Sequence, residues 1–117
     1  MPDVAGDADT VGGMALVLTE DGEASLDSPA GTSGSAPLWG GLVASADQYA
    51  HHDLGCINPA IYSIARSPSY HKAFHDITTG TNGYPAAPGW DPVTGWGTPN
   101  AQVLIPLLAR STNSNKT

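Results

Sequence analysis

Basic residues are scarce in this chain of 117 residues: Lys and Arg total four, against eleven Asp and Glu, for a formal net charge of −7. Nucleic-acid binding needs a basic face to displace counterions, so the composition excludes a nucleic-acid partner. Long apolar runs are lacking as well. None approaches the ~20 residues needed to span a bilayer, which excludes a helical membrane span. Residues 1–20 contain no basic stretch followed by an apolar one, so no signal peptide is expected within the chain. Cys56 is the single cysteine. It cannot form an internal disulfide, and beside Ile57 it is expected to be a small core residue. Charged residues make up 13% of the chain, about half the usual ~25% of soluble domains.

Glycine and proline are abundant instead, at 14 and 10 residues, about a fifth of the chain against the usual eighth. With a hydrophobic fraction of 40%, this describes an ordered, loop-rich α/β domain of one unit at most. Residues 14–19 have the β-rich apolar pattern of a strand. Asp21-Gly22 is a hairpin turn signal, and residues 23–26 supply the partner strand. Residues 27–35 are small and turn-prone. A helix follows, with Leu38, Trp39, Leu42, Val43 and Ala46 on one stripe and Pro37 in its first turn. Gly40 and Gly41 inside it cost about 1 kcal/mol each, which predicts close packing against a neighbour. Asn58-Pro59 predicts a helix start with Asn58 as cap, running to about Arg66. Residues 67–99 are dominated by turns, and a loop of that length needs something to organise it, such as a metal. Asn100 is expected to cap a last helix in which Pro106 forces a kink or a shifted start. The tail 111–117 lacks apolar residues and is expected to be disordered.

The chemistry concentrates before the first helix. Gly31 permits close approach of a substrate backbone, and Ser33 at a helix N-terminus has free N–H groups near it to stabilise an oxyanion. Taken alone, Gly31-Thr32-Ser33 is equally the pattern of a helix cap in a Gly/Ser loop. The longer string Gly31-Thr32-Ser33-Gly34-Ser35-Ala36-Pro37-Leu38-Trp39 resembles the nucleophile motif of the subtilisin-like clan, and within it the sedolisins, the serine-carboxyl peptidases. Two more blocks are similar to that family in the same order: Pro2-Asp3-Val4-Ala5-Gly6-Asp7, and the run from Phe74-His75-Asp76 to Pro88-Gly89-Trp90-Asp91-Pro92.

The resemblance implies a specific reading. The chain would be the C-terminal portion of a catalytic domain over residues 1–110, part of a three-layer fold with a mostly parallel sheet. This portion would supply the hairpin, the nucleophile helix and a calcium loop. Ser33 would be the nucleophile, Asp3 the oxyanion-hole residue, and Gly31 and Thr32 substrate-binding residues. One Ca²⁺ would be held by the side chains of Asp76 and Asp91 and the carbonyls of Ile77, Ala87 and Gly89, an all-oxygen set. Ala87 stands where the family often has Gly. The reaction would be endopeptidase hydrolysis of polypeptides at acid pH, by a full-length protein that is secreted.

The family's base is a glutamate oriented by an aspartate, both upstream of the aspartate block. Glu20 and Glu23, the only glutamates, flank the hairpin turn and do not match it. His51, His52, His71 and His75 all follow Ser33, an order unlike that of a subtilisin triad. The triad is therefore incomplete in this chain, which is expected to be inactive alone and to need the missing N-terminal part as its partner. Met1 directly before a mid-domain motif fits a truncated gene, a split reading frame or a recombinant fragment. The competing reading is a non-catalytic calcium-binding remnant with a structural or interaction role.

Overall fold

The computed structural model describes residues 1–9, 15–27 and 31–114, with side chains through Ser111. The expected strand is β1 (Leu16–Glu20), paired antiparallel with β2 (Glu23–Asp27) in the register Leu16 to Asp27 and Glu20 to Glu23. Asp21 and Gly22 both take positive φ, 51° and 81°, the geometry that matches a two-residue turn to the twist of its strands. All ten strand residues are exposed. The hairpin therefore stands outside the core. Met14, the first residue of the expected strand, lies outside the described residues.

Four helices and a second small sheet complete the described elements: α1 (Thr32–Ala50), α2 (Asn58–Ala65), α3 (Tyr70–Ala73), β3 (Phe74–His75), β4 (Thr98–Pro99) and α4 (Ala101–Ser114). The core lies between α1 and α4, closed by α2 and α3. From α1 it takes Leu42 and Ala46, with Trp39 at its margin, while Leu38 is 42% exposed. From α2 come Ile61 and Ile64, and from α4 Leu104 and Leu108, both fully buried. Leu104→Ala is expected to cost about 3 kcal/mol, the transfer term plus a residual cavity. A urea unfolding curve checks this, with a lowered midpoint and an unchanged slope.

Several expectations need correction. Helix α1 starts at Thr32, earlier than the small-residue composition of 27–35 implied, so Pro37 sits inside it and not in its first turn. Proline has no N–H to return to the carbonyl four residues back. That carbonyl belongs to Ser33. Gly40 and Gly41 are not packing sites: a Cβ on either would meet nothing within 4 Å. Cys56 is exposed, not part of the core. Asn58 does not cap α2 with its side chain, which reaches Asp3 instead. Helix α4 passes through Pro106 and continues to Ser114, so the chain is still helical where a tail from residue 111 was expected. Residues 115–117 lie outside the described residues. No parallel strand pair occurs among the described residues; both sheets are two-stranded and antiparallel.

The long segment 67–99 is tied down locally. Its ends are joined by β3 and β4, with Phe74 opposite Pro99 and His75 opposite Thr98. The Asn100 amide donates to the Ala73 carbonyl, and its side-chain amide donates to the Lys72 carbonyl. Inside the segment, bridges link Thr81 with Pro85 and Asp91 with Gly95.

Candidate active site and cation loop

Ser33 lies in the first turn of α1, and its side chain is exposed. Among the described residues its hydroxyl has no hydrogen-bond partner, and no side chain caps the helix. Gly31 occupies the cap position at φ 83°, ψ −179°, a region open in practice to glycine alone. Its amide donates to the Ala8 carbonyl at 2.9 Å. The geometry leaves a nucleophilic hydroxyl free beside helix N–H groups that lack intrahelical acceptors. Thr32 lines a cleft of about 370 Å³ with Ser35, Ala36, Trp39 and residues 4–6. A second cleft of about 610 Å³ lies across residues 6–8, against Leu38, His75 and Ile77. Ser33 lines neither of them.

Asp3 is bonded to α2. Its Oδ1 accepts from the Tyr62 hydroxyl at 2.7 Å and its Oδ2 from the Asn58 side-chain amide at 3.0 Å. Tyr62 is held protonated: the bond it donates to Asp3 is the main cause of its raised pKa, followed by burial and the charge of Asp3. The backbone of Asp3 is bonded to Trp96, whereas the segment reaches Gly31 only at Ala8. The Asp3 carboxylate anchors residues 2–4 to α2. Sequence reading missed Tyr62 and Asn58 because nothing local marks two α2 side chains as partners of a residue more than fifty positions away.

The aspartates of the 67–99 segment do come together. Both carboxylates lie near the Tyr70 hydroxyl: burial, then the charges of Asp76 and Asp91, raise its pKa well above the ordinary tyrosine value. Tyr70 donates its proton to the Trp96 carbonyl at 2.7 Å. Asp91 is 1% exposed. Its Oδ1 accepts from the amides of Val93 and Thr94, its Oδ2 from the amide of Ala87, and the Thr94 hydroxyl bonds both oxygens. Burial alone would raise the Asp91 pKa, but the donors at Thr94, Ala87 and Val93 outweigh it and hold the group below its usual value. These bonds order the loop directly. The spacing of Asp91 and Thr94 is a recognisable local signal, since Asp and Thr side chains bond backbone amides two or three residues away.

A carboxylate with a depressed folded pKa stabilises the fold above its unfolded pKa, near 3.9, and that contribution is lost as pH falls through the lower folded value. The stability of the chain is therefore expected to change little with Asp91 ionisation between about pH 5 and 7, and to fall below about pH 4. Urea midpoints measured across this range check it, and Asp91→Asn is expected to flatten the acid limb.

Asp76 is the incomplete member. Its Oδ2 accepts from the Gly89 amide at 2.8 Å, while its Oδ1 is buried with no partner. A buried carboxylate oxygen left unpaired is costly, and a cation is the natural complement. Among the described residues no cluster of three or more His, Cys, Asp and Glu gathers. A bound ion would therefore draw on carboxylates and backbone carbonyls, a donor set suited to Ca²⁺ and unlike a zinc site.

No family model matches the chain. Curated proteins do. The chain is 40% identical over 118 residues to kumamolisin from Bacillus sp. (strain MN-32), covering 95% of this chain and 20% of that protein. It is 35% identical over 117 residues to tripeptidyl-peptidase sed1 of Aspergillus fumigatus, covering 92% of this chain and 16% of the relative. Human tripeptidyl-peptidase 1 is 34% identical over 88 residues, covering 67% of this chain and 16% of the relative. The chain thus spans a fifth or less of the length of each of these relatives. With homology of this extent to kumamolisin and the tripeptidyl-peptidases, it belongs to the sedolisin family as a partial-length relative.

Proposed function

We propose that the chain is the nucleophile-bearing segment of a serine-type endopeptidase that acts on polypeptides at acid pH. One observation carries this reading: Ser33 is exposed, its hydroxyl is free of partners among the described residues, and it follows the glycine-only cap at Gly31 on a long helix. In the proposed reaction the Ser33 Oγ attacks the scissile carbonyl carbon and its proton passes to a carboxylate base. The tetrahedral oxyanion collapses, the amine leaves with that proton, and water hydrolyses the acyl-serine. Gly31 and Thr32 lie where the substrate backbone would pass.

Among the described residues no carboxylate is hydrogen-bonded to the Ser33 hydroxyl, and the two glutamates do not match the family's base. Glu20 and Glu23 sit at the hairpin tip, exposed. We assign the base glutamate and its orienting aspartate to the rest of a sedolisin catalytic domain, of which the relatives are about five times the length of this chain. Asp3 is proposed as the oxyanion-hole residue, its carboxyl oriented by the bonds from Tyr62 and Asn58. The isolated chain is then without peptidase activity, and the full-length enzyme is secreted.

A Ca²⁺ ion is proposed on the free oxygen of Asp76, with Asp91 and the carbonyls of Ile77, Ala87 and Gly89. The unpaired Asp76 Oδ1 supports this. The ion would neutralise the two carboxylates and hold the 76–91 loop; no bond-making step passes through it. Binding to the folded state alone raises stability by about 2.7 kcal/mol at a hundredfold excess over Kd. Calcium is therefore expected to raise the unfolding midpoint of the chain in a concentration-dependent way, and Asp76→Ala is expected to abolish the shift. A midpoint indifferent to calcium would remove the metal from the proposal.

A further inference from the structure

We propose that residues Pro2–Ala8 form a positioning strap that carries order from the Asp91 turn to the amide of Gly31, and so fixes the end of α1 that presents Ser33. The idea rests on the nucleophile reading above only for its functional consequence.

At its first end the strap is gripped by the segment that Asp91 organises. Trp90 donates its indole N–H to the Pro2 carbonyl at 3.0 Å, and the Trp96 amide donates to the Asp3 carbonyl at 2.9 Å. Between these tryptophans, Asp91 and Gly95 exchange both backbone bonds, at 3.2 and 2.9 Å. Gly95 has to be glycine on two counts: its φ is +59°, and a Cβ would overlap the carbonyls of Asp3 and Pro2. The strap backbone is thus seated directly on the turn closed by Asp91.

The middle is bonded on both sides. The Ala5 amide donates to the Gly97 carbonyl at 2.9 Å, and the Ala5 carbonyl accepts from the Trp39 indole at 2.8 Å. One residue later Gly6 presses on α1, where a Cβ would lie 2.6 Å from that of Ser35. At the far end Ala8 takes the Gly31 amide. Among the described residues this is the one backbone bond that ties the start of α1 to another segment. Planar peptides leave a segment anchored at Pro2, Asp3, Ala5 and Ala8 few ways to absorb a displacement without passing it on. Loosening of the Asp91 turn therefore reaches Gly31 through the strap, and the alignment of a nucleophile is sensitive to shifts of that size.

Amide hydrogen exchange on the metal-free chain of 117 residues tests this. Three probes are read: Gly95, bonded to Asp91; Gly31, bonded to Ala8; and Leu104, bonded to Asn100 in the core helix. Thr94→Val removes the hydroxyl bonds to Asp91 and is mild enough to keep the fold. It is expected to speed exchange of Gly95 and Gly31 together, by about tenfold, with Leu104 unchanged. Gly6→Ala, whose Cβ would push the far half of the strap off Ser35, is expected to speed Gly31 more than Gly95, because the Ala5–Gly97 bond and the anchors at Asp3 and Pro2 stand between the clash and Gly95. Adding Thr94→Val to Gly6→Ala should then give Gly31 no further increase.

A faster Gly95 with Gly31 unmoved in Thr94→Val overturns the proposal. If Thr94→Val leaves Gly95 unmoved, Asp91→Asn repeats the test at the same shape, and an unmoved Gly95 there overturns it too. These rates involve neither metal nor substrate. Loss of the peptidase reading would leave them where they are, and independent exchange at Gly31 would leave the peptidase reading intact.

Discussion

Asp91→Ala is expected to lower the unfolding midpoint of the chain by about 15–25 °C, corresponding to roughly 4 kcal/mol for a chain of this size. Asp91 is a charged side chain at 1% exposure, and its hydrogen bonds come from Ala87, Val93 and Thr94. Truncation leaves the amides of Ala87, Val93 and Thr94 without the acceptor they share. Each donor stranded away from water costs about 1–3 kcal/mol, reduced where the opened loop admits solvent. Asp91→Asn keeps one acceptor oxygen and should fall between wild type and Ala. At the low end of the usual domain stability of about 5–15 kcal/mol, a loss of this size brings the chain close to unfolding at ambient temperature. Differential scanning calorimetry without calcium measures this directly. A midpoint within a few degrees of wild type would mean that the loop is held by something other than Asp91.

Ser33→Ala is expected to have the opposite profile, with no effect on stability and a complete effect on catalysis. Ser33 is exposed and has no described partner, so its loss should change stability by no more than about 0.5 kcal/mol. The catalytic effect needs the rest of a catalytic domain. A chimera in which this chain replaces the aligned fifth of Bacillus kumamolisin supplies it. Removal of a serine nucleophile lowers kcat by about a millionfold where the rest of the machinery is intact. Peptide hydrolysis by the chimera at about pH 4, where a carboxylate base is partly ionised, should therefore vanish in Ser33→Ala while its unfolding curve stays unchanged.

Local patterns were legible in the sequence wherever chemistry and geometry coincide within a few residues. Asp21-Gly22 fixed the hairpin because both positions need positive φ, and the apolar spacing of Leu42 and Ala46 located the core face of α1. The start of α1 was not legible. Gly, Ser and Thr disfavour a helix interior, yet Gly31 closes the cap through a bond to Ala8, a contact from a distant segment. Pro106 lies inside α4, where a helix packed through Leu104 and Leu108 accommodates the lost backbone bond. Gly40 and Gly41 were read as packing sites, but the space beside them is open.

At the candidate site, motif order singled out Ser33, Asp76 and Asp91, and both aspartates accept from amides of the 87–94 stretch. The fate of Asp3 could not be read from its motif. Its partners, Asn58 and Tyr62, are set by the packing of α2 against the first residues of the chain. The turn at Asp91-Pro92-Val93-Thr94 is a local signal, since an Asp side chain bonds backbone amides two and three residues on.

The most direct measurement for Ser33 is to quench the chimera in acid during turnover of an ester substrate and to find the acyl group by mass spectrometry. The acyl mass is expected on the peptide that contains Ser33 and should be absent from Ser33→Ala. A turning-over chimera with the acyl group on another residue, or hydrolysis that persists in Ser33→Ala, would contradict the assignment of Ser33 as the nucleophile.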